Sequence, residues 1–327
     1  MKPLALGLSV LVAALFLASL ATGPAHIGAL DGLSALILGG DGPEPLVMRE
    51  IRLPRALLGV MIGASLGLSG AALQGYLRNP LAEPGLIGVS GSAALGAVLA
   101  IHTGLAAATT LALPVAALAG AGTGVLLILL LAGPRGGSIT LILAGIAISA
   151  LAGALTSLVL NLSPNPYAAS EIVFWMMGSL ADRSMTHVWL ALPLMLAGGG
   201  ALLTLGRGLD ALTLGEDAAE AMGLRLAHLR LTLVLGTAAM VGAAVAVAGA
   251  IGFVGLVVPH LLRPLVGARP SRLLWASGLG GAAMVLAADI AVRLVLPERD
   301  LKLGVLTAIV GAPLFLHLIY KTRGGQA

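Results

Sequence analysis

The sequence predicts an all-α, polytopic membrane protein of about ten spanning helices with an inverted internal repeat. Three observations carry this reading. Of 327 residues, 58% are hydrophobic and only 10% charged, with a mean hydropathy of +1.05, whereas a soluble domain is roughly 25% charged. Apolar runs of about 20 residues, enough to cross a bilayer, recur along the chain. Glycine supplies 46 residues, about twice its average usage, and small residues let membrane helices pack closely. This composition excludes a soluble globular enzyme, a disordered chain and a fibrous protein. With no cysteine, disulfides and thiolate-held metals are excluded too.

The first apolar run, 3–22, reads as a spanning helix. Its core exceeds the about 7–15 residues of a signal peptide, and no clear A-x-A site follows. Residues 23–48 form a loop with a short helix at 27–38, and the second span covers 53–77. Arg78-Asn79-Pro80-Leu81-Ala82-Glu83-Pro84-Gly85 ends it, because two prolines and a glycine cannot continue a helix. The third span is 86–101 and the fourth 108–132, followed by a turn at Pro134-Arg135-Gly136-Gly137. The fifth is 139–160, with a polar loop to 183 around a short amphipathic helix at 168–177. The sixth is 188–205, the seventh 231–248, the eighth 251–262 broken by Pro259, the ninth 273–295 and the tenth 304–320.

Ten spans put both termini on one side. With that side cytoplasmic, 11 of the 18 Lys and Arg lie inside, a modest positive-inside bias. The net charge of +4 and pI near 10 thus read as topology and not as nucleic-acid binding. Segments 24–50 and 162–187 fall outside, and the whole of 1–327 forms one transmembrane domain. The repeat rests on Gly63-Ala64 and Gly70-Ala71 recurring as Gly242-Ala243 and Gly249-Ala250, in spans of opposite direction.

Few residues suggest chemistry on this chain. The three lysines lie in no phosphate-cradling G-x-x-x-x-G-K-[ST] loop, and the six histidines show no metal-ligand spacing. No Asp or Glu falls near the middle of a span, where an ion-coupled transporter needs one. Asp289 and Arg293 are four apart on the ninth helix, towards its outer end, and can face each other. An external energy source therefore fits better than a stand-alone secondary transporter, and an intramembrane enzyme lacks a nucleophile or metal cluster.

The polar stretch 210–223 is the most informative. Thr213-Leu214-Gly215-Glu216 has the T-x-x-E capping-box form. Ala218, Ala219, Ala221 and Met222 would continue a short cytoplasmic helix, and Gly223 suits its C-terminal cap. Such a helix is a connector or a docking knob for a soluble partner. At the outer end Arg49, Arg52 and Arg55, spaced by three, share one helical face. They are snorkelling anchors or contacts for an acidic partner.

Read together, several motifs resemble the FecCD/BtuC-type permease subunits of ABC importers for iron–siderophore complexes, haem and cobalamin. They are Arg52-Leu53-Pro54-Arg55, Gly63-Ala64 through Ser69-Gly70, Gln74, Arg78-Asn79-Pro80-Leu81-Ala82 to Gly85, and Gly88-Val89-Ser90. Further on come Leu143-Ala144-Gly145, Trp175-Met176-Met177-Gly178-Ser179, Leu212-x-Leu214-Gly215-Glu216, and Gly249 through Leu256 with Pro259-His260 and Arg263. The last are Ala288-Asp289-x-x-x-Arg293 and Gly304-Val305-Leu306-Thr307 with Gly311-Ala312-Pro313. One departure is Lys302-Leu303, where the family often has E-L-P, in the stretch Pro297 to Gly304.

The resemblance implies a BtuC-like type II importer fold, a homodimer with the path between its copies, two cytoplasmic ABC ATPases and a periplasmic binding protein. It implies a bacterial inner-membrane location with cytoplasmic termini, ATP and magnesium on the ATPase, and no catalysis or cofactor on this chain. Arg52, Arg55 and Arg293, with Arg49 beside them, match the arginines that dock the binding protein. Leu212, Leu214, Gly215, Glu216, Ala218, Ala219 and Gly223 match the segment that couples to the ATPase, and Asn79, Leu81 and Ser138 the cytoplasmic gate. His187, Met176, Met177 and Arg183 could meet a haem or pack the short outer helix. The implied cargo is an iron chelate (siderophore or haem), with cobalamin the alternative.

Overall fold

Among the residues it describes, 2–25, 27–40, 42–133, 136–163, 166–295 and 301–323, the computed structural model is helical throughout and has no strand. The predicted turn at Pro134-Arg135 and residues 297–300 of the stretch before Gly304 lie outside these residues, whereas the departure itself, Lys302-Leu303, lies at the start of the last described segment. The first half holds α1 (Lys2–Ala21), α2 (Ala29–Leu38), α3 (Pro43–Val47), α4 (Leu53–Tyr76), α5 (Val89–His102), α6 (Leu105–Ala108), α7 (Ala112–Ala132) and α8 (Ser138–Asn161). The second holds α9 (Pro166–Met176), α10 (Met185–Thr204), α11 (Gly206–Leu212), α12 (Glu216–Ala221), α13 (Leu226–Ala248), α14 (Val254–Leu262), α15 (Pro270–Val295) and α16 (Leu303–Arg323).

Each predicted span contains a helix: α1, α4, α5, α7, α8, α10, α13, α14, α15 and α16. Among the described residues, seven helices are long and apolar enough to cross a membrane, and α5 and residues 303–317 of α16 are shorter apolar segments. The eighth differs. Nine residues of α14 reach about 14 Å, against about 30 Å of hydrocarbon. The non-helical residues 249–253 precede it, so the break falls there and not at Pro259, which sits inside the helix. A second addition lies ahead of α4. The helix begins at Pro43, and a π-helical turn at Met48–Arg52 joins α3 to α4 in one 34-residue run.

The core is centred on α4 and α13, which are buried along most of their length, while α1 is largely exposed at the periphery. Helix α4 packs most extensively on α15. A Cβ on Gly63 would strike the Gly281 carbonyl, and one on Gly67 the Ser277 carbonyl. Only glycine permits this approach. Gly70 does the same work against the Gly255 carbonyl of α14. That carbonyl is the one whose intrahelical donor Pro259 removes.

The glycine repeat is not equivalent in structure. Gly70-Ala71 lies within α4, whereas Gly249-Ala250 lies beyond the end of α13, with Gly249 at φ +73°. The shared spacing serves helix contact in one copy, and in the other a helix end packed closely on the Trp175 carbonyl.

Candidate functional site

The arginine end is built by α1, α4 and α15. Asp289, only 1% exposed, sits between two guanidinium groups. Arg55 Nε lies 3.0 Å from its Oδ1, and Arg55 Nη2 2.8 Å from the same oxygen. Arg293 Nη2 lies 2.9 Å from its Oδ2. The i,i+4 pair read from the sequence is therefore one half of a bridged triad.

The remaining arginine donors close the end of α1. An α-helix leaves its last four carbonyls without partners. Arg52 Nη1 donates to the Leu20 and Ala21 carbonyls at 2.9 and 3.2 Å, and its Nη2 donates to Ala25 at 2.5 Å. Arg293 Nη1 donates to the Ser19 and Thr22 carbonyls at 2.9 and 2.6 Å. The negative end of the helix dipole thus faces two cations.

Arg52, Arg55 and Arg49 are not one exposed face as the spacing suggested. The π-turn shifts the register, leaving Arg49 exposed with a 3.2 Å bond to the Leu36 carbonyl, Arg55 at the rim, and Arg52 only 4% exposed. The sequence could not reveal this, because the partners of Arg52 and Arg293 are carbonyls far along the chain.

The opposite end carries the polar segment. The predicted short helix is α12, and a further helix, α11, precedes it, the two joined by Thr213-Leu214-Gly215. The capping box does not form: Thr213 Oγ1 donates back to the Asp210 carbonyl at 2.7 Å, and the N-cap of α12 is Gly215 at φ +105°. The Gly223 cap does form. Gly223 N–H donates to Glu220 at 2.8 Å and Leu224 N–H to Ala219 at 3.0 Å, the two bonds of a Schellman motif.

Leu212 and Ala219 are buried and hold the pair to the core. Leu214 at 69% and Met222 at 58% exposure stand out from it. Asp210 locks the pair to α15, accepting from Ser271 N–H at 2.8 Å, Ser271 Oγ at 2.7 Å and Arg269 Nε at 2.7 Å. Burial pushes the Asp210 carboxyl up, but these donors outweigh it and hold it below its ordinary value.

The gate residues lie at this same end, where Arg78 approaches Glu216 of α12 at 3.9 Å. Asn79 Oδ1 accepts from Leu81 N–H at 2.9 Å, an Asx turn that shapes the bend after α4. Ser138 opens α8 and lines a separate cleft of about 390 Å³ with Tyr76, Glu216, Asp217, Glu220 and Arg230. Asn79 and Leu81 do not line that cleft. His187 is engaged locally: its Nδ1 accepts from Ser184 N–H at 3.2 Å and completes the cap of α10.

Two interior residues went unassigned by spacing alone. Buried Gln74 donates through Nε2 to Ala82 and Leu256 carbonyls at 3.3 and 3.2 Å, and its Oε1 accepts from Arg263 at 2.9 Å. Glu83 Oε1 accepts from Phe253 N–H at 3.1 Å. Pro84 abuts Gly255, which also meets the Leu66 carbonyl, so this loop turns back beside the middle of α4. A carboxylate therefore reaches the depth where the spans appeared to have none. Its presence in a loop and not in an apolar run concealed it.

The sequence profile of the FecCD transport family matches residues 11–321. An Fe(3+) dicitrate transport system permease protein of Escherichia coli, FecD, is 39% identical over 85% of this chain and 86% of its own. A vitamin B12 import system permease protein of Salmonella newport, BtuC, is 39% identical over 97% and 94%. Among solved structures, a metal-chelate type ABC transporter in an inward-facing conformation superposes with a TM-score of 0.87. It is 34% identical, covering 98% of this chain and 100% of that one.

Proposed function

The chain belongs to the FecCD transport family, and on that premise we propose that its cargo is an iron chelate, siderophore or haem, carried inward across a bacterial inner membrane. It is a multi-pass permease subunit of an ABC importer, working with ATPase subunits and a substrate-binding protein. One observation carries the mechanism: the two ends differ in kind. At one, α11 and α12 present exposed Leu214 and Met222 on a short, capped unit fixed to the core by Leu212, Ala219 and Asp210. At the other, arginines surround a single buried carboxylate.

In this reading the ATPase grips the α11–α12 end, which is cytoplasmic together with both termini. ATP and magnesium act on that partner, and this chain performs no chemistry on its cargo. Closure of the ATPase moves the helix pair, and Asp210 passes the displacement to α15. Two copies enclose the path, gated by Asn79, Leu81 and Ser138. The binding protein approaches the arginine end, where charge chiefly sets encounter rate and orientation. Arg49 and Arg55 are the arginines that reach the surface there, with Arg52 and Arg293 engaged behind them. The Gly-, Ala- and Leu-rich interior suits a bulky chelate that is passed along and not held.

Cobalamin is the second reading, favoured by the longer match to the B12 permease. Uptake by proteoliposomes holding this chain, its ATPase and its binding protein distinguishes the two. ATP-dependent accumulation of a ferric chelate, unaffected by excess cobalamin, is the expected result. Accumulation of cobalamin alone would replace the first reading with the second.

A further inference from the structure

We infer that Glu83 is a positioning residue: it latches the gate loop to the broken helix α14 at the middle of the membrane, so that the two move as one. The inference rests on the importer reading above. Its starting point is depth. Glu83 and Leu66 line one small cavity of about 150 Å³, with Ser90 and Gly252. Leu66 lies ten residues before the end of α4, about 15 Å along a helix axis. That is half the thickness of the hydrocarbon layer. An acidic group at such depth is costly and is retained where it serves the transport path.

The local structure offsets that cost. Glu83 Oε1 accepts the N–H of Phe253, the N-cap of α14, where the helix dipole favours a negative charge. Phe253 itself is strained, a bulky side chain at φ +68°. Its ring rests where any side chain on Gly311 of α16 would be, so α16 closes over the same residue. Nine residues before Glu83, Gln74 makes a second clasp from Ala82 to Leu256.

The loop so held is the one that carries Asn79 and Leu81. The helix so held ends at Arg263, which reaches back to Gln74 at 2.9 Å. A non-helical segment, a strained hinge residue and a half-buried carboxylate thus meet at one seam between path-forming elements. Irregular backbone at this depth is tolerated where it lines a cavity, and discontinuous helices of this kind form transporter paths.

The test compares Glu83→Gln with Glu83→Ala in proteoliposomes holding the full complex. The glutamine keeps an oxygen for the Phe253 N–H, and the alanine does not. The measured quantity is cargo moved per ATP hydrolysed, alongside the yield of assembled complex. With assembly and ATP hydrolysis intact, Glu83→Ala should lower that ratio about tenfold, the cost of one unsatisfied, partly buried donor. Glu83→Gln should restore it to within about threefold of wild type.

An unchanged ratio in Glu83→Ala overturns the latch. So does a glutamine variant as impaired as the alanine one, or loss of assembly in Glu83→Ala, which would make the residue a folding contact. Failure of the wild-type complex to move cargo on ATP would instead refute the importer reading, so the two failures are distinguishable.

Discussion

The two ends of the molecule handle charge in opposite ways. At the α11–α12 end, polar side chains are exposed and apolar Leu214 and Met222 protrude among them. At the other, Arg52 and Arg293 turn inward, and Asp289 is 1% exposed. The first arrangement leaves a surface for a partner. The second uses its arginines largely on the protein itself, closing α1 and pairing one carboxylate. Charge near a membrane rim is thus no measure of docking surface, because a helix terminus close by can take up the same guanidinium donors.

Four substitutions or conditions test this contrast. The largest effect should come from Asp289→Asn. It leaves Arg55 and Arg293 without their anion, and removing one partner of a buried pair costs about 3–5 kcal/mol. Thermal unfolding in detergent should show the loss. An unchanged midpoint would mean that the α1 carbonyls alone hold the arginines, and the end would be looser than described.

Next is the pair Leu214→Glu and Met222→Glu. Both residues are exposed, so stability should change by no more than about 0.5 kcal/mol. Association with the ATPase, read by co-elution, should weaken by at least about 2 kcal/mol if they are central contacts. Intact association would move the docking surface elsewhere.

A smaller effect should follow acidification. Asp210 is held below its ordinary carboxyl value in the fold. Its contribution is therefore fully present above about pH 4, the unfolded value, and disappears as pH falls through the lower folded one. Hydrogen exchange at the first turn of α15 should quicken in that acid window, and Asp210→Asn should abolish the dependence.

The smallest concerns Thr213→Ala. A working capping box would cost about 0.5–2 kcal/mol on substitution. Because Thr213 Oγ1 instead bonds back to Asp210, the change should stay under about 0.5 kcal/mol.

The contrast also marks what the sequence could reveal. Spanning helices were legible because apolar length is a local property. Gly223 was legible because its cap needs only residues 219–224. The Thr213 box misled because Gly215, two residues on, takes a positive φ that starts the next helix and leaves the threonine in the turn behind.

Non-local pairings were illegible. Arg55 and Asp289 are 234 positions apart, and Arg293 and Ser19 are 274 apart. Nothing in a three-residue spacing says that α1 will end beside both arginines. Glu83 was missed for a related reason: depth in the membrane was inferred from helices, and a loop that turns back carries its charge inward unseen. The family motifs grouped Arg52, Arg55 and Arg293, which the fold brings to one end, but could not say which of them are exposed.

The central claim is that this chain takes its energy from an ATPase held at the α11–α12 end. Purification from its native membrane in mild detergent, with bound proteins identified, tests it most directly. The account predicts an ABC ATPase recovered with the wild-type chain and absent from the Leu214→Glu/Met222→Glu double variant. A chain recovered without an ATPase, moving solute under an ion gradient alone, would contradict it.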